Sequence, residues 1–166
     1  VPVDHEGRVD VSAFAASLDN PGDGPPAAAV LQSANGEVGT RQPVAAVDAL
    51  CRTAGIPLLL DATASLGRDP AAHPRGAGSV IVADAATFGG PPLGLLAVRT
   101  GTRWGLPGPR REAEHRRALA APWVPLALTA AQAWVSTEQE HADEERAARA
   151  LVDRVDLATV ARGRMH

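Results

Sequence analysis

The first hundred residues contain short apolar runs separated by segments in which apolar positions recur at helical spacing. The apolar runs lie at 27–31, 56–60, 79–83 and 93–98, and each has the length of a strand. Strands that are apolar on both faces are typical of a parallel or mixed sheet covered on two sides. The pattern predicts an α/β fold, a mostly parallel sheet flanked by helices.

Three helices are predicted around these strands. Asp10 can cap a short helix over 11–18. Pro43 lies in the first turn of a second helix that runs to about residue 54, where Gly55 stops it. A long helix is predicted from 124 to about 155, apolar in its first half and charged in its second.

Composition narrows the classes of partner. The chain has 166 residues, which suits one domain, and a net charge of -3 with acidic and basic residues interspersed. Aromatic residues make up 3 % of the chain, so rows of rings that could stack on bases are missing. No apolar run has transmembrane length. We therefore expect no nucleic acid and no membrane partner.

The single cysteine, Cys51, rules out a disulfide within the chain. This fits a reducing compartment, and the expected location is cytoplasmic. Cys51 falls on the apolar face of the second predicted helix, where a buried thiol is usually inert.

Polar residues follow the predicted strands. Asn35, Asp61 and the stretch 84–87 each come just after an apolar run. In open parallel sheets, binding sites lie beyond the carboxyl ends of the strands. Two structural alternatives stay open: Asn35 can form a turn with Gly36, and Asp61 can cap a helix.

Three segments resemble one family in the same order. Residues 33–43, Ser-Ala-Asn-Gly-Glu-Val-Gly-Thr-Arg-Gln-Pro, resemble the Asn-Asn-Glu-Val-Gly-Thr-x-Gln-Pro segment of the cysteine desulfurases, in the class V aminotransferase family. Residues 60–67 resemble its Val-Asp-Ala-x-Gln-x-x-Gly, and residues 83–91 its Ser-x-His-Lys-Phe-x-Gly-Pro. The resemblance is good over 1–99 and weak over 110–155.

The resemblance implies part of the large domain of a fold type I transferase that uses pyridoxal phosphate. In this family a lysine holds the cofactor as a Schiff base and an aspartate pairs with its pyridine nitrogen. Asn35 and Asp61 stand at two cofactor-binding positions and are retained, as vestiges. The implied domains are a partial large domain over 1–123 and, over 124–166, a helix leading to a mostly missing small domain.

Other family positions are altered. Ala64 replaces a glutamine, Asp84 a serine of the phosphate cup and Ala86 a histidine. In the weaker region, Ala121 stands in place of a threonine that would cup the phosphate of a partner subunit. Thr87 occupies the lysine position, and the chain contains no lysine at all. We therefore expect no catalytic residue and no covalently bound cofactor.

Three functional hypotheses follow. The first is a non-catalytic scaffold or dimer partner, a pseudoenzyme that forms a homo- or heterodimer with a related subunit. The second is a half-site that an active, lysine-bearing paralogue completes. The third is a decayed or truncated fragment without a function of its own.

Several remaining features have simpler interpretations. Gln42 and Pro43 are interpreted as a helix start, and residues 89–92 as a tight connection without the lysine of a phosphate loop. Ser33 and Ser65 lack a nearby triad arrangement. The patch 110–117 is interpreted as a solvated surface. The five histidines show no spacing typical of metal ligands: His5, His73, His115, His141 and His166.

Overall fold

A computed structural model of the chain describes residues 1–22, 24–105 and 123–163, with side chains of the last helix as far as Val155. Its helices are α1 (Val11–Asp19), α2 (Val44–Thr53) and α3 (Val124–Gly163), with single 3-10 turns at Pro70–Ala72 and Ala85–Phe88. Its strands are β1 (Ala29–Gln32), β2 (Ala34–Asn35), β3 (Thr40–Arg41), β4 (Leu58–Asp61), β5 (Val80–Asp84) and β6 (Gly94–Val98).

The main sheet has the order β1-β4-β5-β6. β1, β4 and β5 run parallel, and β6 is antiparallel to β5. The second sheet is a small hairpin of β2 and β3. The predicted α/β class, with a mostly parallel sheet, flanking helices and a long helix toward the C-terminus, is confirmed.

One face of the sheet forms the core. Leu31, Leu60 and Ile81 pair side by side across β1, β4 and β5, and all three are buried. Aliphatic residues of α2 and Phe14 of α1 belong to the same cluster. Val30, whose side chain alternates to the opposite face, is 69 % exposed. The helices α1 and α2 therefore cover the face of the sheet that carries Leu60, as the apolar spacing of these helices predicts.

The sequence placed the helices and strands closely, with shifts of one to three residues at most ends of the first six elements. The side chain of Asp10 accepts hydrogen bonds from the first turn of α1, as predicted. Near the N-terminus, Val3 and Val9 form an isolated antiparallel bridge. α3 continues to Gly163, beyond the predicted end near 155.

The long helix meets the body through a narrow part of its surface. Ala130 is buried in the core, and Trp134 packs edge-on against Phe88 with ring centroids 5.3 Å apart. Thr137 Oγ1 donates to the Phe88 carbonyl oxygen at 3.0 Å. Glu145 and Arg149, one turn apart, form an ion pair at 2.7 Å. None of the described helices has both the length and the apolar character needed to cross a bilayer.

Candidate functional site

The carboxyl ends of β1, β4 and β5 meet at one edge of the sheet. Gln32 pairs with Asp61, and Asp61 pairs with Val82, two residues before Asp84. The parallel register therefore brings the ends that carry Asn35, Asp61 and the 84–87 stretch to the same edge, as the sequence predicted.

The side chain of Asp61 forms hydrogen bonds within a local turn. Its Oδ1 accepts hydrogen bonds from the backbone N–H of Thr63 at 3.0 Å and from Thr63 Oγ1 at 2.6 Å. The side chain is half-buried. Asp61 thus orders a turn after β4 and does not cap a helix, because the next helical element, the 3-10 turn Pro70–Ala72, begins nine residues later.

Thr87, at the family's lysine position, is connected to the same turn. Its Oγ1 donates to the main-chain oxygen of Thr63 at 2.6 Å. Its own carbonyl oxygen accepts from Arg68 Nε at 2.7 Å. Both the hydroxyl and the main chain of Thr87 are therefore held by the loop that follows β4. Thr63 and Arg68 were not predicted as site residues, because a threonine and an exposed arginine carry no motif signal.

Asn35 also forms a local turn. Its Oδ1 accepts from the backbone N–H of Glu37 at 2.9 Å and of Val38 at 3.4 Å, and its Nδ2 donates to Gln32 Oε1 at 3.4 Å. The turn connects β2 to β3, a hairpin that the sequence did not predict. The side-chain oxygen of Asn35 is thus used to order the loop.

The altered family positions have local roles as well. Asp84 Oδ1 accepts from the backbone N–H of Ala86 at 2.9 Å and so caps the second 3-10 turn. Ala64 and Ala86 are exposed. The 89–92 segment is a tight connection, as predicted: a side chain at Gly90 would lie 2.8 Å from the Ala85 carbonyl oxygen.

Two buried serines support the end of β4. The hydroxyls of Ser33 and Ser65 are hydrogen-bonded to each other, and Ser33 Oγ also donates to the main-chain oxygen of Asp61 at 3.0 Å. Ser33 is fully buried and Ser65 nearly so. No signal in the sequence indicated this pair, because the two serines are far apart along the chain and meet only where the end of β1 contacts the loop after β4.

Gln42 and Pro43 come directly before α2, as predicted, but the side chain of Gln42 also makes tertiary hydrogen bonds. Its Oε1 accepts from the backbone N–H of Val9 at 2.8 Å, and its Nε2 donates to the Gly7 carbonyl oxygen at 2.9 Å. Thr40 Oγ1 donates to the Glu6 carbonyl oxygen at 2.5 Å. The hairpin segment therefore holds the N-terminal turn against the body.

Cys51 is buried in the core beneath α2, with 1 % of its surface exposed. Burial raises the pKa of its thiol, and the nearby Asp48 carboxylate raises that pKa further. A thiol with a raised pKa and no access to solvent is a poor nucleophile. The structure confirms the buried position predicted for Cys51.

Tertiary structure brings two of the scattered histidines together. His73 follows the first 3-10 turn and His141 lies on α3, and both line one cleft. Within the described residues, no group of three or more histidine, cysteine or carboxylate side chains is arranged to hold a metal ion. Ala121, the 110–117 patch, His115 and His166 lie outside the residues that the structure describes.

The mostly parallel sheet, its flanking helices and the long helix match the fold of pyridoxal-phosphate-dependent transferases. Solved structures with this fold include three that are similar over most of the chain. DndA from Streptomyces lividans is 26% identical with a TM-score of 0.74, over 94% of this chain and 44% of that one.

A cysteine desulfurase from Thermococcus onnurineus NA1 is 17% identical with a TM-score of 0.73, over 93% of this chain and 42% of that one. A NifS-like protein is 23% identical with a TM-score of 0.71, over 86% of this chain and 39% of that one. The structural neighbours are therefore NifS-like proteins and cysteine desulfurases, and the resemblance seen in the sequence is confirmed at the level of the fold.

The chain spans less than half the length of these neighbours. No protein-family model matches the sequence, and no curated protein is similar to it at a significant level.

Proposed function

We propose that this chain is a non-catalytic relative of the cysteine desulfurases that acts as a scaffold or dimer partner. The observation that carries the proposal is the state of Thr87. It stands at the position of the family's Schiff-base lysine, and its hydroxyl is used in a 2.6 Å hydrogen bond to the main chain of Thr63. An imine requires a primary amine, which a threonine cannot supply.

The rest of the site does not fit pyridoxal phosphate either. The Oδ1 of Asp61, which the resemblance assigns to the pyridine nitrogen, already accepts two hydrogen bonds from Thr63. Asp84 places a carboxylate at a phosphate-cup position. Repulsion between this carboxylate and a phosphate dianion would be on the order of several kcal/mol at contact distance. An exposed ion pair between Asp61 and the pyridine nitrogen would offset only about 1 kcal/mol of this repulsion.

The chain also lacks a residue suited to carrying sulfur. A cysteine desulfurase transfers sulfur to an accessible cysteine, and the one cysteine here is buried in the core. Its raised pKa keeps the thiol protonated near neutral pH. Loss of the amine and of cofactor ligands supports the proposal, and the buried Cys51 is not suited to accept sulfur.

The proposal includes a related subunit as the partner, in a homo- or heterodimer, and a cytoplasmic location. It also keeps the division into a partial large domain over 1–123 and a segment over 124–166 that leads to a small domain. The turn around Asp61 is ordered by the chain's own hydrogen bonds, from Thr63 to Asp61 and from Thr87 to the main chain of Thr63.

The test uses the purified chain of residues 1–166 with added pyridoxal phosphate. After borohydride reduction, intact mass and peptide mapping locate any covalent adduct. We expect no adduct on an internal residue and no cofactor absorbance after desalting. An adduct at the α-amino group of the purified polypeptide is the internal control for the reduction, because that group is a primary amine. An internal adduct, or turnover of L-cysteine to alanine by the chain alone, would overturn the proposal.

A second arm separates the alternatives. The chain is mixed with a lysine-bearing cysteine desulfurase, and activity and association are measured. Desulfurase activity that requires both chains would favour the half-site hypothesis over the scaffold. A chain that shows no helical circular dichroism when expressed alone would instead favour the decayed fragment.

A further inference from the structure

A cleft of about 280 Å³ lies between the first 3-10 turn and α3. Its walls include Asp69 and His73 on one side and Trp134, Glu138 and His141 of α3 on the other. The three α3 residues lie four and three positions apart, so they share one helix face. Neither the family resemblance nor the proposed function makes use of this cleft.

The two histidines of the cleft differ in their hydrogen bonding. His73 Nδ1 accepts a hydrogen bond from the backbone N–H of Arg75 at 3.0 Å, which places the proton of the neutral ring on Nε2. That Nε2 lies 3.6 Å from Glu138 Oε1, too far for a hydrogen bond. His141 Nε2 is buried and has no hydrogen-bond partner. A buried polar atom without a partner costs free energy, which a bound ligand would recover.

The cleft is also acidic. Asp69 is only 8% exposed, and its Oδ1 accepts from the backbone N–H of Ala71 at 3.1 Å. Its Oδ2 faces Arg41 Nε at 3.9 Å, an ion pair without hydrogen-bond contact. Glu138 is the second carboxylate of the cleft, and no arginine is among the described residues that line the cleft. The balance of charge favours a cation.

Trp134 adds a flat aromatic wall. Its ring is held edge-on by Phe88, at 5.3 Å between centroids, and lies tilted against His73 at 5.6 Å. Gly67 allows this packing, because a side chain there would lie 2.7 Å from Phe88 Cβ and 3.1 Å from Thr137 Cγ2. The tryptophan is therefore a fixed surface in the wall of the cleft.

We propose that this cleft binds a small molecule that carries a guanidinium group. A guanidinium is planar and cationic, stacks on tryptophan and presents several N–H donors in a fixed fork. Glu138 can accept two of these donors, and the unpartnered Nε2 of His141 can accept another in its neutral form. Among the described residues no metal-ligand group is present, so an organic cation fits the cleft better than a metal ion.

The probe is agmatine, titrated into the full chain and followed by calorimetry and by the indole N–H resonance of Trp134. Two analogues test the chemistry: carbamoylputrescine, in which a neutral urea replaces the guanidinium, and putrescine, which has ammonium groups only. We expect saturable 1:1 binding of agmatine and at least tenfold weaker binding of both analogues. Equal binding of putrescine, or no saturable binding of agmatine, would overturn the assignment.

Two variants of α3 test whether agmatine binds in this cleft. Glu138→Gln removes the acceptor charge at an exposed helix position and is expected to weaken agmatine binding by about tenfold or more, the effect of one charge-assisted hydrogen bond. Glu140→Gln makes the same change on α3 outside the cleft and should leave affinity unchanged. Equal losses in the two variants would indicate a general charge effect and reject the cleft. Tight binding of Zn²⁺ that excludes agmatine would also reject it.

Discussion

The hydroxyl of Thr87 and the main-chain oxygen of Thr63 are 2.6 Å apart, and this hydrogen bond joins the loop after β4 to the 3-10 turn after β5. The side chain of Thr87 therefore contributes to the packing of these two loops. The bond is made by a half-buried residue, so its loss should be felt in stability.

Thr87→Val keeps the shape of the side chain and removes the donor. We expect a loss of about 1 kcal/mol in the free energy of unfolding, the usual net value of such a bond. Thr87→Ser keeps the hydroxyl and should lose much less. Denaturant unfolding of the two variants checks this. If the serine variant is as unstable as the valine variant, packing of the methyl group rather than the hydrogen bond holds this loop.

Asp61 and Thr63 should be energetically coupled. Asp61→Ala removes the acceptor for both Thr63 donors, and we expect it to cost about 1 kcal/mol, as for loss of a capping aspartate. Thr63→Ala removes only the 2.6 Å hydroxyl bond. A double-mutant cycle should therefore give a coupling of at least about 0.5 kcal/mol. Additive effects would mean that Asp61 does not depend on Thr63, and would reopen its role in ligand binding.

Gly67 should tolerate no side chain. Gly67→Ala combines a φ of +78° with a Cβ only 2.7 Å from Phe88 Cβ. Gly55→Ala is the matched control, because Gly55 has a φ of +69° with nothing within 4 Å of its Cβ. Both variants carry backbone strain of about 1 kcal/mol, and overpacking adds a further 1–3 kcal/mol at Gly67 alone. Equal melting temperatures for the two variants would contradict the close packing of α3 on Phe88.

Cys51 should make the stability depend on alkaline pH. Its folded pKa is raised above the ordinary value of 9.0, first by burial and then by Asp48. Above that ordinary value the unfolded chain loses the thiol proton while the folded chain keeps it, so the unfolded state binds fewer protons. Stability should therefore fall as pH rises above about 9. The fall should be smaller in Cys51→Ala, measured by urea unfolding at several pH values and compared with the wild type.

The thiol itself offers a further check on the same residue. A native-state reaction with a thiol reagent should be slow, and should approach the rate of a model thiol only when urea unfolds the chain. Fast reaction in the native state would show that Cys51 is accessible, and would weaken the argument that the chain lacks a sulfur acceptor.

Local features of the fold were predictable where short-range chemistry decides them. The Asp10 cap, the α2 stop at Gly55 and the apolar strands follow from propensities and from spacing along the chain. The predicted end of α3 near residue 155 was too early, because the charged residues of its last turns show no apolar periodicity that would indicate a helix. The small hairpin after Asn35 was missed because two-residue strands leave no pattern to detect.

The sequence by itself determined what chemistry is absent: no lysine exists to form an imine, and no second cysteine exists to form a disulfide within the chain. It also placed Asn35, Asp61 and Thr87 after strands. Only the tertiary structure decided how those side chains are used, and that His73 and His141, far apart in sequence, line one cleft. The reason is physical: residue type limits which bonds are possible, while hydrogen-bond partners depend on which strand ends and helix faces packing brings together.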